Sequence, residues 1–403
     1  MRLLTVGNMY PPHSFGGYEA VWRGAVDHLR ARGHEVRVLT TDTDTGAAEP
    51  DPPGVHRELR WHLVEGEFAR LAPHRRVALS RHNHRVLDRH LDDLRPDVVA
   101  WWSMGGLALT MLETVRRRGI PAVGFVHDEW LDYGRWADPW LSWWAGRWRR
   151  LAPLAERVGR LPARVDFAGA AEYAFVSDYT RRHALGLGLG PLRTSVAHSG
   201  IETAYLDPAP ERDWGWRLLY VGRLDPRKGV DVAVRALEHL PEQARLTIAG
   251  GWDRHEERRL RELAAAAGAA ERVEFAGQRS VPELVELYGE ADAVVFPVRW
   301  QEPWGLVPLE AMGRGRPVVA SGRGGSAEYL RDGENALLFD AEDPRDLAAK
   351  LMRLADEPEL RARLRANGLE TAPRHTVPVF NAAVEEAVRR AAGEPVAPPR
   401  ASA

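Results

Sequence analysis

Arg217-Leu218-Leu219-Tyr220-Val221-Gly222-Arg223-Leu224-Asp225-Pro226-Arg227-Lys228-Gly229-Val230 reads as a buried strand, a glycine turn, a set of cations and the start of a helix. The stretch decides the fold because it restarts a rhythm the chain has already run once. Upstream, Leu3 to Gly7 reads as a strand, Tyr18 to Arg32 as a helix closed by Gly33, and Glu35 to Thr40 as a strand. Asp97 to Ala100, Ala122 to Val126 and Tyr173 to Val176 continue that series. Downstream, strands are expected at Arg245 to Ala249, Val273 to Ala276, Ala293 to Pro297 and Pro317 to Ala320. Strands that alternate with amphipathic helices make parallel sheets covered on both faces. Between the two series lie Gly186 to Pro191 and the proline- and charge-rich Asp207 to Asp213. The expected fold is therefore α/β, with two facing doubly wound Rossmann-like domains and ligands bound at the carboxyl ends of the strands, in the cleft between them. The boundaries read as 1–195, 196–375, a helix over 376–392 that returns toward the first domain, and a disordered tail over 393–403.

Composition narrows the function. A net charge of -2 gives no basic field for nucleic acid. The chain has no cysteine, which removes disulfides, thiolate metal sites and a cysteine nucleophile and fits a cytoplasmic setting. The longest uncharged run, Val98 to Leu112, is too short for a bilayer.

The chemistry concentrates in four places. Gln301-Glu302-Pro303-Trp304-Gly305-Leu306-Val307-Pro308-Leu309-Glu310 follows a strand and opens a short helix. The amides of Gly305, Leu306 and Val307 suit a phosphate at a positive helix end. Glu302 and Glu310 flank them and are better acceptors for sugar hydroxyls than ligands for phosphate; Glu310 also fits a first-turn charge that complements the helix dipole. In the opening stretch, Arg223 as a fork and Lys228 as a point charge suit a diphosphate, and Lys228 is one of only two lysines. The same turn also fits a solvated basic loop. Gly16 and Gly17 precede the first helix and leave room for a phosphate or sugar, although such turns are common. His127, in Val126-His127-Asp128-Glu129, ends a strand at the rim, where it serves a ligand or packs on the next loop.

Taken together and in this order, these motifs resemble glycosyltransferase family 4, the retaining enzymes of GT-B fold, over nearly the whole chain. The resemblance implies a nucleotide-sugar donor, with Glu302 on sugar hydroxyls, Glu310 on the ribose, Arg223 and Lys228 on the diphosphate, His127 near the reacting centre and Gly16–Gly17 as the donor loop. Gly200, in His198-Ser199-Gly200-Ile201, matches the turn after the interdomain linker. The activity implied is hexosyl transfer with retention, from a UDP-sugar in preference to GDP-mannose, to a small-molecule, glycan or lipid-linked acceptor. No metal or other cofactor is expected, because cations and amides meet the leaving group's charge. Asp42-Thr43-Asp44 has the form of a metal-binding Asp-x-Asp but reads as a solvent loop. The alternative function is a nucleotide-sugar epimerase on the same scaffold. A dinucleotide-binding Gly-x-Gly-x-x-Gly after the first strand and a Gly-x-Ser-x-Gly elbow are both missing. The turn at Gly277 to Arg279 is the expected base contact. Trp140, Trp143, Trp144 and Trp148, interleaved with Arg147, Arg149 and Arg150, fall at helical spacing and share one expected face, which fits either the acceptor side with peripheral membrane contact or an amphipathic helix whose tryptophans pack on the first domain.

Overall fold

The computed structural model describes every residue except Phe15, Ala47, Ala48, Glu65, Gly66, 145–147, Trp252 and 396–403. Two compact units emerge: Met1–His198 with Phe380–Ala403, and Ser199–Val379.

The first unit is built on β1 (Arg2–Val6), β2 (Glu35–Thr41), β3 (Val55–Leu59), the short antiparallel pair β4 (Leu63–Val64) and β5 (Glu67–Phe68), β6 (Val98–Trp101), β7 (Ala122–Val126), β8 (Glu172–Phe175) and β9 (Arg193–Val196). Seven of these strands form a parallel sheet in the order β3-β2-β1-β6-β7-β8-β9. The central strands are buried on both faces, as their near-continuous apolar runs require. On one face, Leu87, Leu91, Met111, Leu112 and Phe167 join the core. On the other, Trp22 lies between Tyr10 and Trp102, with ring centroids 4.9 and 5.8 Å away. Phe380, Val384 and Val388 of the last helix, Val377–Ala391, complete that face.

The second unit carries β10 (Arg217–Val221), β11 (Arg245–Ala249), β12 (Val273–Gly277), β13 (Ala293–Phe296), β14 (Val318–Ala320) and β15 (Leu337–Leu338). They form a parallel sheet in the order β12-β11-β10-β13-β14-β15. In both sheets the order reverses beside the first strand of the series, which opens the crevice where such folds bind ligands.

Two expectations need correction. The tryptophans of 140–148 do not share one helical face. The helix Trp130–Ala137 stops at Asp138-Pro139, where the buried Asp138 carboxylate accepts the amides of Leu109, Trp140 and Leu141. A four-residue helix follows, Leu141–Trp144. Trp140 turns inward, 5% exposed, and its indole donates to Pro162 O, whereas Trp148 is 49% exposed. Arg147 of that reading lies outside the described residues. Residues 393 and 394, expected in the tail, are instead tied to the last helix: the amides of Gly393 and Glu394 bond back to Arg390 and Arg389. The rest of that reading, 396–403, lies outside the described residues.

Candidate functional site

Backbone contacts that only glycine permits fix the carboxyl end of the second sheet. Gly229 sits at φ +66°, and a Cβ there would meet Pro297 O at 2.0 Å. Gly324, at φ +68°, would meet Glu302 O at 2.3 Å. The turn after β10 and the loops after β13 and β14 are thus drawn together around Glu302. Gly325 N donates to Glu302 O at 2.7 Å, and Trp304 Nε1 donates to Ser199 O at 2.9 Å.

Within that frame Lys228 Nζ donates to Glu302 Oε2 at 2.6 Å, with side-chain exposures of 15% and 12%. Trp300 Nε1 donates to the same oxygen at 2.7 Å. The Trp300 ring also carries Arg227 at 4.8 Å and Lys228 at 5.3 Å over its face. Arg227 is bound to Asp225 at 2.6 Å, so of the two neighbouring cations Lys228 is the one held by the Glu302 loop. Arg223 follows Gly222 directly, its carbonyl fixed by the Tyr220 hydroxyl at 2.9 Å.

Glu310 lies one turn into the helix Val307–Gly313 and accepts the Tyr288 hydroxyl at 2.6 Å. Burial pushes its carboxyl up to about 7; the Tyr288 hydrogen bond opposes that shift, and the Glu202 charge adds to it. Tyr329, whose hydroxyl donates to Gly305 O, has its own ionisation suppressed by burial first and then by the charges of Glu302 and Glu310. Both carboxylates therefore act on one phenol. The helix has seven residues, with Pro308 in its first turn and Gly305 at φ +87° before it.

In the first unit, His127 stands just past β7. Its ring packs against Tyr18, Trp102 and Phe380, with centroids at 5.4, 5.7 and 5.5 Å. Burial depresses its pKa to about 3, so the imidazole is neutral at physiological pH. Asp128 accepts Tyr133 Oη at 2.8 Å and Trp130 N at 3.0 Å, and burial raises its pKa. Gly16 and Gly17 are exposed, and a Cβ on either would meet nothing within 4 Å. Neither has a positive φ, so the backbone does not need glycine at these positions. Gly16 helps line a cavity of about 560 Å³ together with Pro11, Pro12, Arg23 and Asp27. Phe15 of that loop lies outside the described residues. Asp42 and Asp44 are both exposed.

The structure thus brings Glu302, Lys228 and the Gly305 loop together in one unit and holds His127 in the other. Sequence reasoning missed Trp300, Tyr288, Tyr329 and the Asp128–Tyr133 pair. Only Trp300, two residues from Glu302, and Asp128, next to His127, had a local signal. Gly200 approaches the chain at Thr376, where Ile201 N donates to His375 O and Val377 N donates to Ile201 O.

Two family profiles match the chain. That of Glycosyltransferase Family 4 covers residues 15–205, and that of Glycosyl transferases group 1 covers 208–371. A D-inositol 3-phosphate glycosyltransferase of Acidothermus cellulolyticus is 37% identical over 226 residues, which are 51% of this chain and 50% of that protein. The chain therefore spans about half the length of the curated relatives it matches. Among solved structures, sucrose-phosphate synthase from Thermosynechococcus elongatus superposes with a TM-score of 0.73 at 19% identity, covering 96% of this chain and 98% of that one. Anabaena HepE in complex with UDP gives 0.69 at 18%, covering 97% and 100%. Two parallel sheets, two profiles laid over them and full-length superpositions agree: the chain belongs to glycosyltransferase family 4 and has the two-domain GT-B fold.

Proposed function

We infer that the chain transfers a hexosyl group from a nucleotide-diphosphate sugar, a UDP-sugar by preference, with retention of anomeric configuration and without a metal. The observation that carries this reading is the Lys228–Glu302–Trp300 cluster at the carboxyl ends of β10 and β13. The Lys228 ammonium, held on the Glu302 loop, and the guanidinium of Arg223 match a departing diphosphate, whose charge grows as the glycosidic bond breaks. Glu302, once Lys228 turns to phosphate, accepts hydrogen bonds from sugar hydroxyls; Glu310 is assigned the ribose. Gly305, Leu306 and Val307 offer backbone amides to the diphosphate, and Gly16–Gly17 leave space at the donor loop. His127 stays neutral and serves the transferred sugar by hydrogen bonding rather than by charge. The UDP held by Anabaena HepE supports the choice of nucleotide.

The names of the aligned relatives make a polyol phosphate such as D-inositol 3-phosphate the first acceptor to try. No described helix is long and apolar enough to cross a membrane. Exposed Trp136, Trp148, Leu151 and Leu154 support peripheral contact with a lipid surface as a second feature of the acceptor side.

The test is incubation with UDP-glucose, with and without acceptor, followed by NMR of the sugar. Transfer predicts an acceptor-dependent product with the donor's anomeric configuration and slow hydrolysis at most without acceptor. Conversion of the sugar without acceptor would establish the epimerase reading instead, which the glycosyltransferase matches disfavour.

A further inference from the structure

The edge strand of the first sheet carries a side-chain cluster that the donor chemistry leaves unused. His56 and Glu58 are two apart on β3, so they project to one side of it. His90 reaches them from the helix Pro73–Leu94, which packs against β3. Glu58 Oε1 lies 3.4 Å from His56 Nδ1 and 3.4 Å from His90 Nε2. The two imidazole centroids are 4.8 Å apart. One ligand atom from each residue falls within 4.8 Å of the others, and no other three His, Cys, Asp or Glu converge this way among the described residues. The His90 side chain is 4% exposed, and its Nε2 is buried without a hydrogen bond. An unsatisfied buried nitrogen costs about 1–3 kcal/mol, so one aimed at a carboxylate and a second imidazole calls for a shared partner.

We propose that His56, Glu58 and His90 bind a borderline divalent cation, with zinc the best fit, which clamps edge strand β3 to the helix Pro73–Leu94. Two imidazoles and one carboxylate are a zinc-type donor set, whereas magnesium and calcium prefer oxygen alone. Ligand atoms about 2.1 Å from a tetrahedral zinc stand about 3.4 Å from one another, and two edges of this triangle already have that length. Arg89 pairs with Glu58 Oε2 and leaves Oε1 for the cation. Arg37 stands 3.4 Å from His90 Nδ1 and 2.6 Å from Asp93. When Nε2 takes the cation, the ring proton moves to Nδ1 and Arg37 turns fully to Asp93. These two guanidiniums oppose the bound charge and set the affinity. In the sheet order β3 is four strands from β7, which His127 follows, or about 19 Å, so the cation braces the fold and takes no part in transfer.

The test is zinc titration of the full chain in a chelator buffer, followed by calorimetry and thermal melting. The expected result is one tight equivalent, a higher melting temperature with zinc, and at least about tenfold weaker binding in His56→Gln and Glu58→Gln. Cobalt in place of zinc should give the visible absorption of a low-coordinate site, lost in the same variants. His90→Gln removes the buried ligand; if it fails to fold, the two half-exposed positions still decide. Zinc affinity unchanged in both His56→Gln and Glu58→Gln, or no zinc-dependent rise in melting temperature, would overturn the proposal.

Discussion

At the carboxyl edge of the second sheet, charge is brought in and paired: Lys228 on Glu302 and Arg227 on Asp225, with only the deeper Glu310, under the Tyr288 hydroxyl, pushed by burial toward its neutral form. At the same edge of the first sheet, charge is kept out. His127 sits among three aromatic rings with its pKa depressed to about 3, and Asp128 is raised by the same burial. On the function proposed above, the first of these edges meets a diphosphate, whose negative charge needs cations already in place. The other suits a neutral ligand recognised by hydrogen bonds and ring packing. The difference lies in which state of each side chain its surroundings stabilise, and not in the number of polar residues.

The sharpest break in this contrast is Glu302→Gln. It keeps the shape, removes the charge, and is expected to cut transfer about 10²-fold while the melting temperature moves by under about 3 °C. Steady-state kinetics beside a thermal melt check it; near-normal turnover would put the sugar contact elsewhere. Lys228→Ala comes next. Loss of a charge-assisted contact worth about 1.5–3 kcal/mol should raise the donor KM about 10- to 100-fold, with a smaller change in acceptor KM.

The two edges should also answer pH in opposite directions. Glu310 has a folded pKa of about 7, above its ordinary 4.5. The folded state holds the extra proton, so the stability Glu310 contributes is complete at low pH and is lost as pH rises from about 5 to 7. Glu310→Gln should therefore gain about 2 kcal/mol on the wild type over that range. His127 has a folded pKa of about 3, below its ordinary 6.5. Its contribution is complete above 6.5 and is lost as pH falls, so His127→Gln should gain about 2 kcal/mol on the wild type between about pH 7 and 5. Denaturant melts across pH read both, and parallel rather than opposed trends would erase the distinction. The smallest expected effect is that of EDTA. Transfer should change by less than about twofold, since Lys228, Arg223 and backbone amides answer the leaving group's charge; loss restored by manganese would return Asp42 and Asp44 to consideration.

The central strands were legible because parallel strands buried on both faces must be apolar throughout: Ala122–Val126, Arg217–Val221 and Arg245–Ala249 fall where their runs place them. The edge strands Val55–Leu59 and Arg193–Val196 escaped notice because an edge carries polar residues that leave no such run. The loop around Glu302 was legible from its glycines, proline and carboxylates. Tyr288 and Trp300 were not read as site residues: Tyr288 meets Glu310 across 22 residues of sequence, and the role of Trp300 depends on the loops that Gly229 and Gly324 allow to meet around Glu302. The tryptophan stretch misled for a related reason. Its spacing is helical, but a buried Asp138 capping three amides breaks the helix before the periodicity can act.

The central claim is that the second unit holds a nucleotide-diphosphate sugar through Lys228 and the Glu302 loop. The most direct measurement is a thermal-shift comparison of wild type and Lys228→Ala against UDP-, GDP-, ADP- and dTDP-sugars. At about 100 times its Kd, the right donor should stabilise the wild type by about 2.7 kcal/mol, with UDP-sugars foremost, and should stabilise Lys228→Ala far less at the same concentration. A wild type that none of these sugars stabilises, or a Lys228→Ala variant stabilised as fully as the wild type, would contradict it.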